Sequence, residues 1–196
     1  MIKLVSLMQY GNEKRPTGWK VDPLSTHKIR GTSTSSRRFL VDRFSFIEDG
    51  YRIDALKLFE RVIEDIGFPF SVEHERYMGS NLALTDVSKR TVKIRQDIYD
   101  GAKSIYSGLA RFTLIHELGH IVLHSNQAPS FSRTKSNHEW YEDSEWQADT
   151  FSGEFLMPVN LVQSLCSCPN DIVKVFGVSQ SAAYVRWDKL KREGLI

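Results

Sequence analysis

Two histidines and a glutamate in one short segment have the spacing of a metal-dependent hydrolytic site. His116, Glu117 and His120 form the pattern H-E-x-x-H within residues 111–124. On an α-helix, residues four apart lie about 40° apart around the axis, so both imidazoles can bind one ion. Zinc binds imidazole nitrogen at about 2.0–2.1 Å. Glu117 lies about 100° around the helix from His116, where it can hold a water molecule beside the ion instead of binding the ion.

A second segment offers the third protein ligand that a catalytic zinc site requires. Glu145 and Asp149 are four residues apart on a predicted helix and share one face. Glu145 is the predicted third ligand. Asp149 is predicted to accept the outer N–H of a ligating histidine, which fixes the tautomer of that histidine. Each segment also has a plainer interpretation, a histidine-bearing amphipathic helix or a solvated acidic helix, but two such motifs in one chain favour a metal site.

The helix that carries the histidines must pack its other side against a core. Leu114, Leu118 and Ile121 lie on the side opposite His116 and predict such a buried face. Gly119 is unfavourable in a helix by about 1 kcal/mol relative to alanine. A close approach by another backbone explains this glycine, and Ala148 on the second helix has the small side chain that such an approach needs.

A hydrolase of this kind also needs a hydrogen-bond donor for the developing oxyanion. The sequence offers four candidates for an oxyanion or substrate contact and does not rank them: His124, His138, Tyr141 and Tyr184. For His124, an interaction with the last carbonyl groups of its helix is a more conservative interpretation than metal ligation.

The order of the predicted elements is that of an α+β fold. A helix around residues 56–66 is followed by three short β-type stretches at residues 70–74, 81–85 and 91–95, the last two joined as a hairpin. Further helices are predicted at residues 107–124, 138–156, 171–176 and 180–192. We therefore expect a small antiparallel sheet packed on the H-E-x-x-H helix, with further helices towards the C-terminus.

Charge is concentrated near the N-terminus. Residues 1–38 carry eight lysines and arginines against two acidic residues, whereas the whole chain has a net charge of +2. The stretch at residues 31–38 is rich in small polar residues, which predicts flexibility. Residues 1–50 are interpreted as a basic, partly flexible extension and residues 51–196 as the metallopeptidase domain. An irregular lead-in to the domain is the alternative.

Composition excludes several classes of protein. The chain has 196 residues, of which 41% are hydrophobic and 26% charged, as in an ordinary soluble globular domain. It has no apolar run of about 18 residues and no signal-peptide pattern, so no membrane association is expected. The two cysteines, Cys166 and Cys168, exclude a disulfide framework, predict helix-end thiols and suit a reducing cytoplasm. A net charge of +2 does not indicate nucleic-acid binding.

The paired motifs resemble those of the ImmA/IrrE family of zinc metallopeptidases, over roughly residues 52–192. The matching features are Arg111-Phe-Thr before His116-Glu-Leu-Gly-His120, His124 one turn later, Glu145-x-x-Ala-Asp-x-Phe151, Phe155-Leu-Met-Pro158 and Phe176-Gly-Val-Ser179. The resemblance implies a gluzincin-like domain with Zn²⁺ as cofactor, His116, His120 and Glu145 as ligands, and Glu117 as catalytic base. It also implies a protein substrate, a helix-turn-helix repressor of a mobile element or stress regulon. Ser152 stands where such proteins often have alanine.

Three functions compete on this sequence. The first is a zinc endopeptidase that cuts a regulatory protein. The second is a non-catalytic zinc-containing regulator or toxin–antitoxin partner, against which the presence of Glu117 argues, because a structural site needs no general base. The third is a DNA-binding regulator that uses the basic N-terminal segment or the two C-terminal helices. Apolar residues in those helices favour packing on the domain instead.

Overall fold

The computed structural model describes residues 17–47, 51–104, 107–126 and 138–196. These residues form a mostly helical α+β fold, as expected from the sequence. The helices are α1 Thr26–Phe44, α2 Ala55–Ile63, α3 Glu75–Met78, α4 Gln96–Ala102, α5 Gly108–His124, α6 Ser144–Leu156, α7 Val159–Leu165, α8 Pro169–Phe176 and α9 Gln180–Arg192. The strands are β1 Phe70–Glu73, β2 Ala83–Asp86 and β3 Thr91–Arg95, and a 3₁₀ helix spans Trp140–Glu142.

The three strands form a mixed sheet in the order β1-β3-β2. The predicted hairpin is confirmed, because β2 pairs with β3 in antiparallel register from Ala83↔Ile94 to Asp86↔Thr91. The expectation of an all-antiparallel sheet is wrong for β1, which pairs with β3 in parallel. The short helix α3 connects β1 to β2, which lies at the opposite edge of the sheet. Strand β3 then follows in sequence and lies between β1 and β2.

Helix α5 lies at the centre of the fold. Its residues Leu114, Leu118 and Ile121 are buried in the hydrophobic core with the apolar face of α2 and the sheet residues Val92 and Ile94. The predicted core face of the H-E-x-x-H helix is therefore confirmed. On its other side α5 packs along α6, so the polar face of α5 that carries the histidines opens next to the N-terminal half of α6.

The segment for which flexibility was expected is instead a packed helix over Thr26–Phe44. The Lys28 amide donates to the side chain of Ser25, which caps the helix. Ile29 and Ser33, one turn apart, are both fully buried, and the Ser33 hydroxyl donates to the Phe151 carbonyl of α6 at 3.1 Å. A small polar residue can thus lie at a buried contact between helices. A prediction of flexibility from low apolar content does not account for such a contact. The boundary at residue 50 stays a prediction, and residues 1–16 lie outside the described ranges.

The C-terminal helices pack on α6 through a buried ion pair. Arg186 of α9 donates from both Nη atoms to the Glu154 carboxylate at 2.7 Å, and Arg30 of α1 contacts the same carboxylate. Ala183 and Leu190 on α9 are fully buried, which agrees with the packing interpretation of this region. Within the described ranges, no helix is long and apolar enough to cross a membrane.

Single residues fix several of the helix ends. Ser179 caps α9 by accepting from the Ala182 amide at 3.2 Å, and Gly177 ends α8 with φ of +63°. Cys166 and Cys168 are free thiols at the end of α7 and the start of α8, as predicted. The helix predicted from residue 138 begins later, at Ser144, because the Asp143 carboxylate caps it by accepting from the Trp146 amide.

Candidate metal centre

A close contact between α5 and α6 sets the dimensions of the site. A Cβ atom on Gly119 would lie 3.3 Å from both Cα and the carbonyl oxygen of Ala148, and 3.2 Å from the ring of Phe151. The two backbones therefore touch where the sequence has its smallest side chains. This contact brings the first turn of α6 beside the histidine face of α5.

Three predicted ligands meet at this crossing. The Nε2 atoms of His116 and His120 are 3.0 Å apart. The carboxylate of Glu145 lies over both, with Oε2 3.3 Å from Nε2 of His116 and Oε1 3.4 Å from Nε2 of His120. The donor atoms of the three residues lie within 4.8 Å of one another, a separation at which they could hold a metal ion. The arrangement agrees with the sequence prediction, although the roles of the residues remain a proposal.

Asp149 lies where a partner of a ligating histidine is needed. Its Oδ1 atom is 2.9 Å from Nδ1 of His116. A carboxylate in this position accepts the Nδ1–H proton and leaves the lone pair of Nε2 facing Glu145 and His120. Glu145 and Asp149 therefore contact opposite edges of the same imidazole, as their shared helix face predicted.

The electrostatics of the cluster fit a cation. Burial alone would lower the pKa of His116, but the hydrogen bonds to Asp149 and Glu145 raise that pKa well above its usual value. Burial opposes ionisation of Glu145, yet hydrogen bonds from His116 and His120 lower its pKa far below the usual range. Two imidazole nitrogens and two carboxylate oxygens thus converge, and a proton or a metal ion must lie among them to offset their lone pairs. A divalent cation such as zinc accepts this donor set.

Glu117 is buried beside the cluster and is held from the sheet. The hydroxyl of Thr85, on strand β2, donates to Oε2 of Glu117 at 2.6 Å. Thr85 is not among the residues predicted from the sequence. Its position was detectable in principle, because Thr85 lies two residues after the buried Ala83 and therefore on the same face of the strand, which is directed at the core.

Of the four candidate oxyanion or substrate contacts, His124 has the clearest surroundings. It is buried, with Nδ1 3.2 Å from Nδ1 of His120 and Nε2 3.1 Å from the side-chain oxygen of Gln147. Burial, with the charge of His120, lowers the pKa of His124 to about 4, so its ring is neutral near pH 7. Both ring nitrogens are therefore engaged in a side-chain network behind His120.

The other three candidates lie differently. The side chain of His138 is buried, with Nε2 3.2 Å from a carboxylate oxygen of Asp143, the residue that caps α6. Tyr141 and Tyr184 expose 37% and 46% of their surface. In the described ranges, no hydrogen bond joins either phenol to the three predicted ligands. His138 could contact an oxyanion through Nε2 only if its hydrogen bond to Asp143 were broken. For the two tyrosines, the oxyanion or substrate contact stays a prediction.

A segment outside the family resemblance forms one wall of the site. The Gly18 amide donates to Asp143 at 2.8 Å, and the Trp19 amide donates to the hydroxyl of Ser144 at 3.0 Å. A Cβ atom on Gly18 would lie 2.8 Å from Cγ of Glu145. Residues 18–24 therefore run alongside the start of α6 and contact a predicted ligand. We call these residues the lead-in segment.

Comparison with known proteins supports the family resemblance. Residues 107–188 match the Peptidase_M78 family, described as the IrrE N-terminal-like domain. This range contains every predicted ligand and Glu117. For this range the predicted ImmA/IrrE family is confirmed, and Peptidase_M78 is a family of metallopeptidases. No curated protein sequence matches the chain.

One solved structure shows a related fold. A Mycobacterium tuberculosis transcriptional regulator is similar, with a TM-score of 0.53 and 12% sequence identity. The likeness covers 87% of this chain and 53% of the regulator, so this chain spans about half of its length. At this identity the likeness concerns the fold alone.

Proposed function

We propose that this chain, whose residues 107–188 belong to the Peptidase_M78 family, is a zinc-dependent endopeptidase that hydrolyses a peptide bond in a regulatory protein. The convergence of His116, His120 and Glu145 carries this proposal. Structural zinc sites have four protein ligands, whereas catalytic sites have three and leave one position for water or substrate. Three protein donors with a buried glutamate beside them support the catalytic type.

A bound zinc ion supplies Lewis-acid chemistry, lowering the pKa of a water molecule and polarising the scissile carbonyl. Glu117 is the general base: Thr85 holds its Oε2 atom, which leaves Oε1 to accept a proton from the attacking water. Glu117 then delivers that proton to the leaving amine. Asp149 keeps the proton of His116 on Nδ1, so that Nε2 stays available as a ligand.

The sheet supports a polypeptide substrate. In the described part of the chain, β2 pairs with β3 alone, so its other edge can accept an extended peptide by strand addition. Thr85 lies on this strand and contacts Glu117. A substrate backbone aligned with β2 would therefore pass close to the general base.

We also propose that the substrate is a helix-turn-helix repressor of a mobile element or stress regulon. The resemblance to the ImmA/IrrE family supports this substrate. The two free thiols support a reducing cytoplasm as the place of action. We do not expect the protein to bind nucleic acid or membranes.

The test uses the zinc-loaded full chain and a repressor encoded next to its gene. Wild type is expected to bind one zinc ion and to cleave the repressor at a defined bond, detected by mass spectrometry. Glu117→Gln is expected to bind zinc and to leave the repressor intact. Cleavage by Glu117→Gln at the wild-type rate would remove Glu117 from its role. Tight zinc binding with no cleavage of any neighbouring repressor would favour a non-catalytic zinc-containing regulator.

A further inference from the structure

The buried side chain of Gln147 has a fixed orientation. Its Nε2 atom donates to the carbonyl groups of Asp22 and Tyr141, each at 2.8 Å. A backbone carbonyl can only accept a hydrogen bond, and the amide nitrogen can only donate. The amide cannot flip without losing both bonds, so its Oε1 atom must face the Nε2 atom of His124, 3.1 Å away.

This orientation determines the tautomer of His124. Because Oε1 of Gln147 can only accept, the Nε2 atom of His124 carries its proton and donates to it. His124 is buried and its two ring nitrogens face an imidazole and an amide rather than a carboxylate, so the ring is neutral and its Nδ1 atom carries a lone pair. That lone pair faces Nδ1 of His120 at 3.2 Å.

The same logic extends to the predicted ligand. Nδ1 of His120 must donate to Nδ1 of His124, which leaves the Nε2 atom of His120, facing Glu145 and His116, to bind the metal ion or, in its absence, a proton shared with Glu145. The two predicted histidine ligands thus donate their Nδ1 protons to different kinds of acceptor. Asp149, a carboxylate, supports His116, whereas an uncharged imidazole and amide support His120.

We propose that Gln147 is a positioning residue that sets the metal-binding tautomer of His120 through His124, and that the Asp22 carbonyl couples this chain of hydrogen bonds to the lead-in segment. The inference rests on the proposed metal site. It adds that α6 contributes a third functional residue between Glu145 and Asp149, and that the lead-in segment is part of the site. An uncharged support for His120 also avoids placing another negative charge beside the ligands.

The test reads the ring protons directly in the metal-free, ¹⁵N-histidine-labelled protein by long-range ¹H–¹⁵N NMR at neutral pH, where the His124 ring is neutral. Single histidine substitutions assign the signals. In wild type, His120 is expected to be protonated at Nδ1 and His124 at Nε2. In Gln147→Leu, His124 loses its acceptor, so both rings should populate the other tautomer. Zinc affinity, measured by chelator competition, should then fall about 10- to 100-fold.

Two further comparisons keep the test decisive if Gln147→Leu does not fold. His124→Asn places an amide oxygen near the position of the Nδ1 atom and can accept from His120, whereas His124→Phe cannot. Zinc affinity should therefore be higher in His124→Asn than in His124→Phe. Ser152→Ala is the matched control, because this buried hydroxyl on α6 donates only to the Ala148 carbonyl of its own helix. This substitution should change neither tautomer nor affinity.

The results separate this inference from the proposed function. A His120 ring without a proton on Nδ1 in wild type, or equal zinc affinity in wild type and Gln147→Leu, would overturn the role of Gln147. Equal affinities in the two His124 variants would also do so. The expected tautomers in a protein that cleaves no repressor would support the positioning role and count against the peptidase proposal alone.

Discussion

Replacement of Gly119 by alanine tests whether the contact between α5 and α6 controls the metal site. The added Cβ would lie 3.2 to 3.3 Å from Phe151 and from the backbone of Ala148. Carbon atoms pack best at about 3.5–4.0 Å. The Phe151 ring can rotate away from the added Cβ, but the backbone atoms of Ala148 are fixed within α6 and cannot move independently of it. The two helices must therefore separate by a few tenths of an ångström.

Two opposed effects decide the stability of this variant. Alanine is a better helix former than glycine by about 1 kcal/mol. Overpacking a close contact costs about 1–3 kcal/mol. Since the contact is with backbone, we expect overpacking to win and the free energy of unfolding to fall by about 1 kcal/mol. The same separation moves Glu145 away from His116 and His120, while metal sites tolerate only about 0.2 Å in their bond lengths. Zinc affinity should fall by about tenfold, which corresponds to about 1.4 kcal/mol of strain.

The assay combines urea unfolding of the metal-free protein with zinc titration against a chromophoric chelator. Gly153→Ala is the matched control, because Gly153 also lies in a helix interior, that of α6, but an added Cβ there meets no atom within 4 Å. This control should be stabilised by up to about 1 kcal/mol with unchanged zinc affinity. If Gly119→Ala behaves like Gly153→Ala in both measurements, the helix contact does not set the site geometry.

Three further outcomes follow from specific contacts. Burial holds the pKa of His124 near 4, below its unfolded value of about 6.5, so the unfolded state binds more protons between these two pH values. The free energy of unfolding of the metal-free wild type should therefore fall by up to about 3 kcal/mol relative to His124→Asn between pH 7 and pH 4. Urea titrations measure this difference, and parallel pH curves for the two proteins would contradict it. Thr85→Val removes a hydrogen bond to the Glu117 carboxylate and should slow repressor cleavage about tenfold without changing zinc affinity; an unchanged rate would deny Thr85 this role. Arg186→Met leaves the buried Glu154 carboxylate with one arginine fewer and should lower the free energy of unfolding by about 3 kcal/mol in denaturant; a loss under 1 kcal/mol would show that the remaining partners suffice.

The donor set was predictable because its spacing is local. Residues four apart on a helix share a face, so the sequence alone paired His116 with His120 and Glu145 with Asp149. The glycine at position 119 then indicated that a second helix comes close. The family resemblance assigned the same residues to one site. These predictions needed no knowledge of the path of the chain between the two helices.

The partners of these residues were not predictable in the same way. Thr85 reaches Glu117 from a strand, and Gln147 reaches His124 from another helix, so no fixed sequence spacing connects them. The lead-in segment was not predictable, because it lies outside the resemblance and its contacts use backbone groups, which carry no sequence signal. The predicted direction of β1 was wrong for a related reason. Alternation of side chains predicts a strand but does not say which neighbour it pairs with or in which direction.

Helix α1 shows a further limit of pattern-based prediction. Its buried face uses Ser33, and its charged residues include Arg30, which pairs with Glu154 on α6. A low apolar content is normally typical of a flexible segment. Here a small hydroxyl residue allows close packing, and opposite charges on another helix satisfy the arginine. Neither compensation is visible until the two helices lie side by side.

The most direct test of the metal centre is the zinc K-edge absorption spectrum of the full chain loaded with one equivalent of zinc. We expect two imidazole nitrogens at about 2.0–2.1 Å and carboxylate and water oxygens at about 2.0–2.2 Å, with no sulfur near 2.3 Å. In Glu145→Ala the oxygen shell should change while both imidazoles remain. A sulfur shell, or a spectrum without two imidazoles, would contradict a site formed by His116, His120 and Glu145.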